Sequence, residues 1–360
     1  MQRTIKKRLA LLLIPQFFLV KLLSLFPEFI EQYYSNGIYP YISKVLRFTL
    51  GWLPFSFGDV IYTISIIYII RWFFINRRRL RKDTRNWFID VFAAISVIYF
   101  AFHFFWGLNY YRPPLHKNLN LEANYSTEQL VRVTQMLTEK ANAVHMEITR
   151  NDTVKVTMPF SESQIFKMVP EGYHNLTGTF PNLDYKPRSL KKSIYSIPLT
   201  YMGFSGYLNP LTNEAQVDGI IPRFIFPTTA SHEVAHQLGY AAENEANFIG
   251  CLAAINHDNI YFKYAGYTFA LRFCLNEIYF RDECLYEDMV AHVDKGIIKN
   301  YKEVRAFWEA HENPAEPFFK VFYGNFLKVN KQSKGMESYS YVVALLTNYF
   351  DESLGKVKKH

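Results

Sequence analysis

Long apolar runs crowd the first third of the chain and then stop. Residues 9–26 are almost wholly apolar, interrupted by Pro15, Gln16 and Lys21. Residues 55–75 form a second run with Asp59 and Arg71 near its ends, and residues 87–106 a third with Asp90 and His103 near its ends. As helices, runs of this length cross the roughly 30 Å hydrocarbon core of a bilayer, and terminal charges can reach the headgroups. A signal peptide competes for the first run, but Pro27-Glu28 follows Phe26 where a small-residue cleavage site would stand. The pattern predicts three transmembrane helices within residues 1–111, with the lipid bilayer as a partner.

Beyond Asn109-Tyr110-Tyr111-Arg112-Pro113-Pro114, an aromatic anchor followed by a stiff exit, apolar residues become spaced. Ser126 and Gln129 form a capping-box pattern ahead of Leu130, Val133, Met136 and Leu137, which predicts a helix from about Thr127 to Met146. Ser161 or Ser163 caps a shorter one through Ile165, Phe166 and Met168, expected to end before Pro170 and Gly172. Ile194, Tyr195, Ile197 and Leu199, then Tyr201, Phe204 and Tyr207, are punctuated by Gly203, Gly206 and Asn209-Pro210 and read as short strands and turns. Another strand is expected over 215–221. Tyr201, Tyr207 and Glu214 either line a cleft there or pack. Helices follow through residues 261–286, 304–308 and 318–326, and Gly335 to Ser338 introduces a last one carrying Tyr341, Leu345 and Tyr349. The tail Lys356 to His360 reads as solvated.

Charge sharpens this division. The net charge of +8 belongs to the N-terminal third, where 14 Lys/Arg face 5 Asp/Glu, leaving 26 against 27 in residues 112–360. No nucleic-acid partner is indicated, because the large domain lacks a basic surplus. Four Lys/Arg precede the first run and six lie between Arg77 and Arg85, so the positive-inside rule places both in the cytoplasm and residues 112–360 outside it. Cys251, Cys274 and Cys284 form no CxxC pair, so neither a thiolate zinc site nor a disulfide framework is indicated, although one disulfide stays open.

The chemistry lies in His232-Glu233-Val234-Ala235-His236. On a helix, positions i and i+4 share a face, so two imidazoles aim at one point and Glu233 sits beside a metal-bound water as its base. A surface helix with two stray histidines is the bland alternative. Thr228 or Thr229 is the expected cap of this helix and Gly239 its exit. A catalytic zinc needs three protein ligands and one open position. Glu243 and Glu245 open the next apolar helix and are the candidates for the third, though acids at a helix start also serve as simple capping. Tyr261, Tyr264 and Tyr267 are candidate hydroxyl donors by proximity only.

HExxH followed by a Glu-bearing helix resembles the gluzincin metallopeptidases. Glu243-Asn244-Glu245-Ala246-Asn247 is similar to the ExxAD box of membrane-bound members of that group, with Asn in place of Asp. That resemblance makes Glu243 the ligand and Asn247 the residue that supports a ligating histidine. Asn244-Glu245-Ala246 also resembles the Asn-Glu pair of thermolysin-like enzymes, which makes Glu245 the alternative. Gluzincins place the Glu further along, whereas Glu243 is seven residues after His236. The stretch through Gly239 looks like the metzincin pattern HExxHxxGxxH, but Ala242 stands where its third ligand would be. The three runs, HExxHxxG and the ExEANF box together resemble a bacterial membrane family, domain of unknown function 3810.

The expected protein is α+β and mostly helical: a transmembrane unit, residues 1–111, and an extracytoplasmic zincin-like domain, residues 112–360, with a small sheet beside the HExxH helix. The expected activity is zinc-dependent hydrolysis of a peptide or protein substrate, with Glu233 as catalytic base and zinc on His232, His236 and Glu243 or Glu245. A non-catalytic zinc-binding membrane protein and a zinc amidase acting on cell-wall material are the alternatives. Oligomeric state is not readable from the sequence.

Overall fold

The computed structural model describes residues 2–330 and 339–357; the helix start expected at Gly335 to Ser338 and the tail residues 358–360 lie outside them. The chain is mostly helical with one three-stranded sheet among the described residues. Phe57–Asn76 and Thr84–Phe105 are each long and apolar enough to cross a membrane. The first expected span is divided. Helix Gln2–Leu23 stops at a break, and Arg3–Leu23 meets Pro27–Leu50 at 98°, a broken span or a re-entrant loop. Pro27 explains the bend, since it removes a helical donor and biases the preceding residue away from the helical region; Phe26 has φ −121° and ψ 67°. Two spans, or three if the bent pair counts as one, stand where three straight ones were expected.

Gln2–Leu23 packs along Thr84–Phe105, with Gln16 donating to Ser96 at 3.3 Å and Lys6 paired with Asp90 at 2.8 Å. Arg79 joins the same carboxylate at 3.0 Å, so the basic tail and the basic loop share one end of the apolar helices. At the other end, residues 30–50 pack against the large domain: Tyr39 is buried and donates to Gln237 O at 2.8 Å.

The large domain forms around two crossed helices, Phe226–Gln237 and Glu243–Ile255, enclosed by Thr127–Thr149, Glu162–Leu176, Ile260–Arg281 and Tyr339–Val357. The expected capping box is present on Ser126/Gln129, and of the two expected caps of the next helix Ser161 is the one used, in a second capping box with Gln164. The second of these helices does not stop at Pro170 but continues to Leu176. Ile165, Val169, Tyr173 and Leu176 bury one continuous face, and that burial outweighs the hydrogen bond lost to proline.

Strands β1 (Leu190–Lys192), β2 (Gly206–Asn209) and β3 (Glu214–Val217) pair in the order β1-β3-β2, with β1 parallel and β2 antiparallel to the central β3. β3 is shorter than expected because the Asp218 carboxylate accepts the Ile220 N–H at 3.0 Å and turns the chain away. Residues 196–202, expected as strand, are helix Ser196–Met202 ending at Gly203 with φ +79°. Buried Ser196, Leu199 and Thr200 fall at i, i+3 and i+4, which is helical spacing. Glu214 turns away from the cleft and accepts the Phe57 and Gly58 N–H groups, at 3.2 and 2.5 Å, at the start of an apolar span. All three cysteines are free.

Candidate metal centre

Helix Phe226–Gln237 begins two residues before the expected caps and has no side-chain cap; Pro227 sits in its first turn, where its missing N–H costs nothing. Thr228 instead donates to Ile225 O at 2.9 Å. Ala230, Val234 and Ala235 face the core, which leaves the His232/His236 face to the cleft. The imidazole centroids are 4.6 Å apart. Gly250 on the partner helix permits the close crossing, since a Cβ there would lie 2.6 Å from the His232 nitrogen.

Past the second histidine, Gly239 takes φ +90° and the chain reverses. The Tyr240 carbonyl thereby reaches His236 Nδ1 at 2.7 Å. Facing a carbonyl, Nδ1 carries a proton, so in the neutral ring Nε2 is the nitrogen that presents a lone pair to the cleft. Residues from the N-terminal third hold this turn. Trp106 Nε1 donates to His236 O at 3.0 Å, Ser43 joins Tyr39 on Gln237 O, and Arg112 donates to Gly239 O at 2.9 Å. Arg112 also lies 4.4 Å from the Tyr240 ring centroid and is paired with Glu31 at 2.5 Å.

Reversal brings the next helix back with Glu243 first. Its Oε2 lies 3.3 Å from His232 Nε2 and 3.7 Å from His236 Nε2. One ligand atom from each of His232, His236 and Glu243 lies within 4.8 Å of the others. Glu245 points elsewhere: its Oε1 accepts the Leu115 N–H at 2.7 Å, and burial pushes its carboxyl up to about 7. Asn247, one turn beyond Glu243, lines the cleft; among the described residues no hydrogen bond joins it to either histidine. Burial opposes charge on His236 and Glu243, but their mutual attraction prevails, raising the imidazole to about 9 and holding the carboxyl well below its ordinary range.

Glu233 lies beside these donors without joining them. Its side chain packs against β2, where a Cβ on Gly206 would sit 2.6 Å from its Oε1. Burial pushes its carboxyl up to about 7, against the pull of His232 and His236. Its Oε2 is a buried atom with no hydrogen-bond partner, as is His232 Nδ1. Two imidazole nitrogens and one carboxylate oxygen, converging on a cleft, fit a three-ligand zinc site with an open fourth position.

The cleft holds about 640 Å³ and is bounded by β2 on one side and aromatic residues on the other. Tyr207 lines it; Tyr201 does not, and Tyr261, Tyr264 and Tyr267 are all outside it. Tyr264 instead donates to Asn300 at 2.7 Å. Tyr323 is the nearby hydroxyl, in helix Glu316–Val329, donating to Glu243 Oε1 at 2.5 Å. Tyr62, Phe102, Trp106 and Tyr110 enter the wall from the N-terminal third. No local signal marks these residues, because their meeting depends on long-range packing.

No curated protein and no solved structure matches the chain. The profile of one family, described as "Protein of unknown function (DUF3810)", matches residues 34–347. Matched over most of its length, the chain belongs to that family.

Proposed function

We propose that this chain is a membrane-anchored, zinc-dependent peptidase whose centre is His232, His236, Glu243 and Glu233. The observation that carries the reading is the Glu233 carboxylate, buried beside three converging donors with one oxygen unpartnered. A purely structural zinc favours a fourth ligand and has no use for such a base. Zinc held there supplies Lewis acidity toward a carbonyl and acidifies a water.

The chain's own residues do the rest. Glu233 takes a proton from the attacking water and passes it to the leaving amine as the C–N bond breaks, yielding a carboxylic acid and an amine. Tyr323 holds the Glu243 carboxylate in place, and Tyr240 holds the His236 ring. Among the described residues β2 pairs only with β3, and its Gly206, Tyr207 and Leu208 line the cleft, so its free edge can pair with an extended peptide by strand addition. That edge favours a peptide over a non-peptide amide.

The basic cluster at the end of the apolar helices opposite the cleft supports a site outside the cytoplasm. The deciding experiment compares wild type with Glu233→Gln in zinc content and hydrolysis of a peptide library. About one zinc per chain is expected in both, with hydrolysis only in wild type. A folded wild-type protein without zinc would end the proposal.

A further inference from the structure

Two short helices beside the cleft turn large apolar side chains outward. In Glu316–Val329, Phe318, Val321 and Phe322 share one face by their i, i+3, i+4 spacing and are 69, 64 and 67% exposed. The adjoining face sends Tyr323 and Phe326 into the cleft. In and just before Ser196–Met202, Ile194 and Ile197 are 58 and 61% exposed. The helices are neighbours: Asn313 donates to Tyr201 O at 2.6 Å, just ahead of the longer one.

The residue capping the shorter helix and the far end of the longer one each touch an apolar span. The Tyr195 hydroxyl donates to Asp59 O at 3.2 Å and bonds the Thr63 hydroxyl at 2.5 Å, early in Phe57–Asn76. The Phe326 ring lies 5.9 Å from that of Phe102, near the end of Thr84–Phe105. Tyr62 and Phe102 line the cleft, about 8 and 5 Å inside their spans at 1.5 Å per residue. The cleft therefore starts within the apolar segments, and the outward phenylalanines lie beside it. Apolar side chains in such a row are unfavourable in water but at home at the boundary between headgroups and acyl chains.

We propose that the metal cleft opens into the headgroup layer of the bilayer, with these two helices as its rim, and that its substrate is a peptide carrying a membrane-inserted apolar tail. The tail stays in the bilayer while the adjoining backbone reaches β2. The substrate class rests on the peptidase reading; the location of the rim does not.

The test uses the full chain in phosphatidylcholine vesicles. A spin label at Phe322→Cys, in a Cys284→Ser background, should collide more with lipid-dissolved oxygen than with a water-soluble nickel chelate, with Lys299→Cys showing the reverse. Equal preference for the chelate at both positions overturns the rim. In Glu233→Gln protein, a photoreactive peptide bearing a dodecanoyl chain should crosslink to the cleft at least about tenfold more than the same peptide without the chain. Phe318→Ser/Phe322→Ser should reduce that advantage; equal crosslinking of the two peptides overturns the substrate class. Crosslinking with the expected preference, but no hydrolysis by wild type of either peptide, would refute the peptidase reading and leave the membrane-facing cleft standing.

Discussion

The Tyr323 hydroxyl donates to Glu243 Oε1 at 2.5 Å, joining two residues 80 positions apart in sequence. The other carboxylate oxygen of Glu243 is the one nearest the two imidazoles. Such a partner orients a metal ligand, and losing it commonly weakens binding by about 10- to 100-fold. Tyr323→Phe should lower zinc affinity by that amount in a competition titration with a fluorescent chelator. Tyr264→Phe, which alters a distant hydroxyl, should leave it unchanged.

Glu243 and Glu245 should separate cleanly. Glu243→Ala removes one of three donors, and its zinc content after dialysis should fall close to zero. Glu245→Ala leaves the donor set intact but orphans the buried Leu115 N–H, a loss of about 1–3 kcal/mol. It should keep its zinc and melt at a lower temperature. Equal zinc retention in both variants would refute the assignment of Glu243.

Two glycines test the packing that sets the geometry. Gly206→Ala places a methyl group where the Glu233 carboxylate now lies. Since displacing a catalytic group by about 1 Å can cost about 100-fold in rate, hydrolysis should drop by that order with zinc content unchanged. Gly250→Ala pushes against the His232 backbone and should destabilise the fold by about 1–3 kcal/mol, read as a fall in melting temperature.

The Glu245 carboxyl is raised by burial from 4.5 to about 7. A carboxyl raised in the folded state favours folding while protonated, and that contribution is lost as pH rises through the folded value. Stability of zinc-free protein should therefore decline between about pH 4.5 and 7, and Glu245→Gln should make the decline shallower. A slope unchanged in the variant would show that Glu245 does not titrate in this window.

Much of this was legible where the physics is local. Ser126 and Ser161 close their capping boxes within four residues, and the His232/His236 pair needs only helical spacing. The approach of Glu243 follows from the short Gly239 turn. Elsewhere tertiary contacts decided. Residues 196–202 fit either period until the burial of Ser196, Leu199 and Thr200 selects the helix, and Pro170 is carried inside a helix by the core beneath it. Tyr323, inside the helix expected over 318–326, carries no local signal of its role because its partner lies in another part of the chain. The bend after Leu23 was written in Pro27, which the hydropathy of the preceding run obscured.

The carbonyls of His236, Gln237 and Gly239 all receive donors from residues before 113. A soluble fragment beginning after the aromatic anchor would contain every residue proposed for catalysis, yet the turn that fixes the His236 ring would lose Trp106, Tyr39, Ser43 and Arg112 together. Inactivity of such a fragment would therefore say nothing about the chemistry, and a detergent-solubilised chain that keeps those four residues is the material on which to measure it.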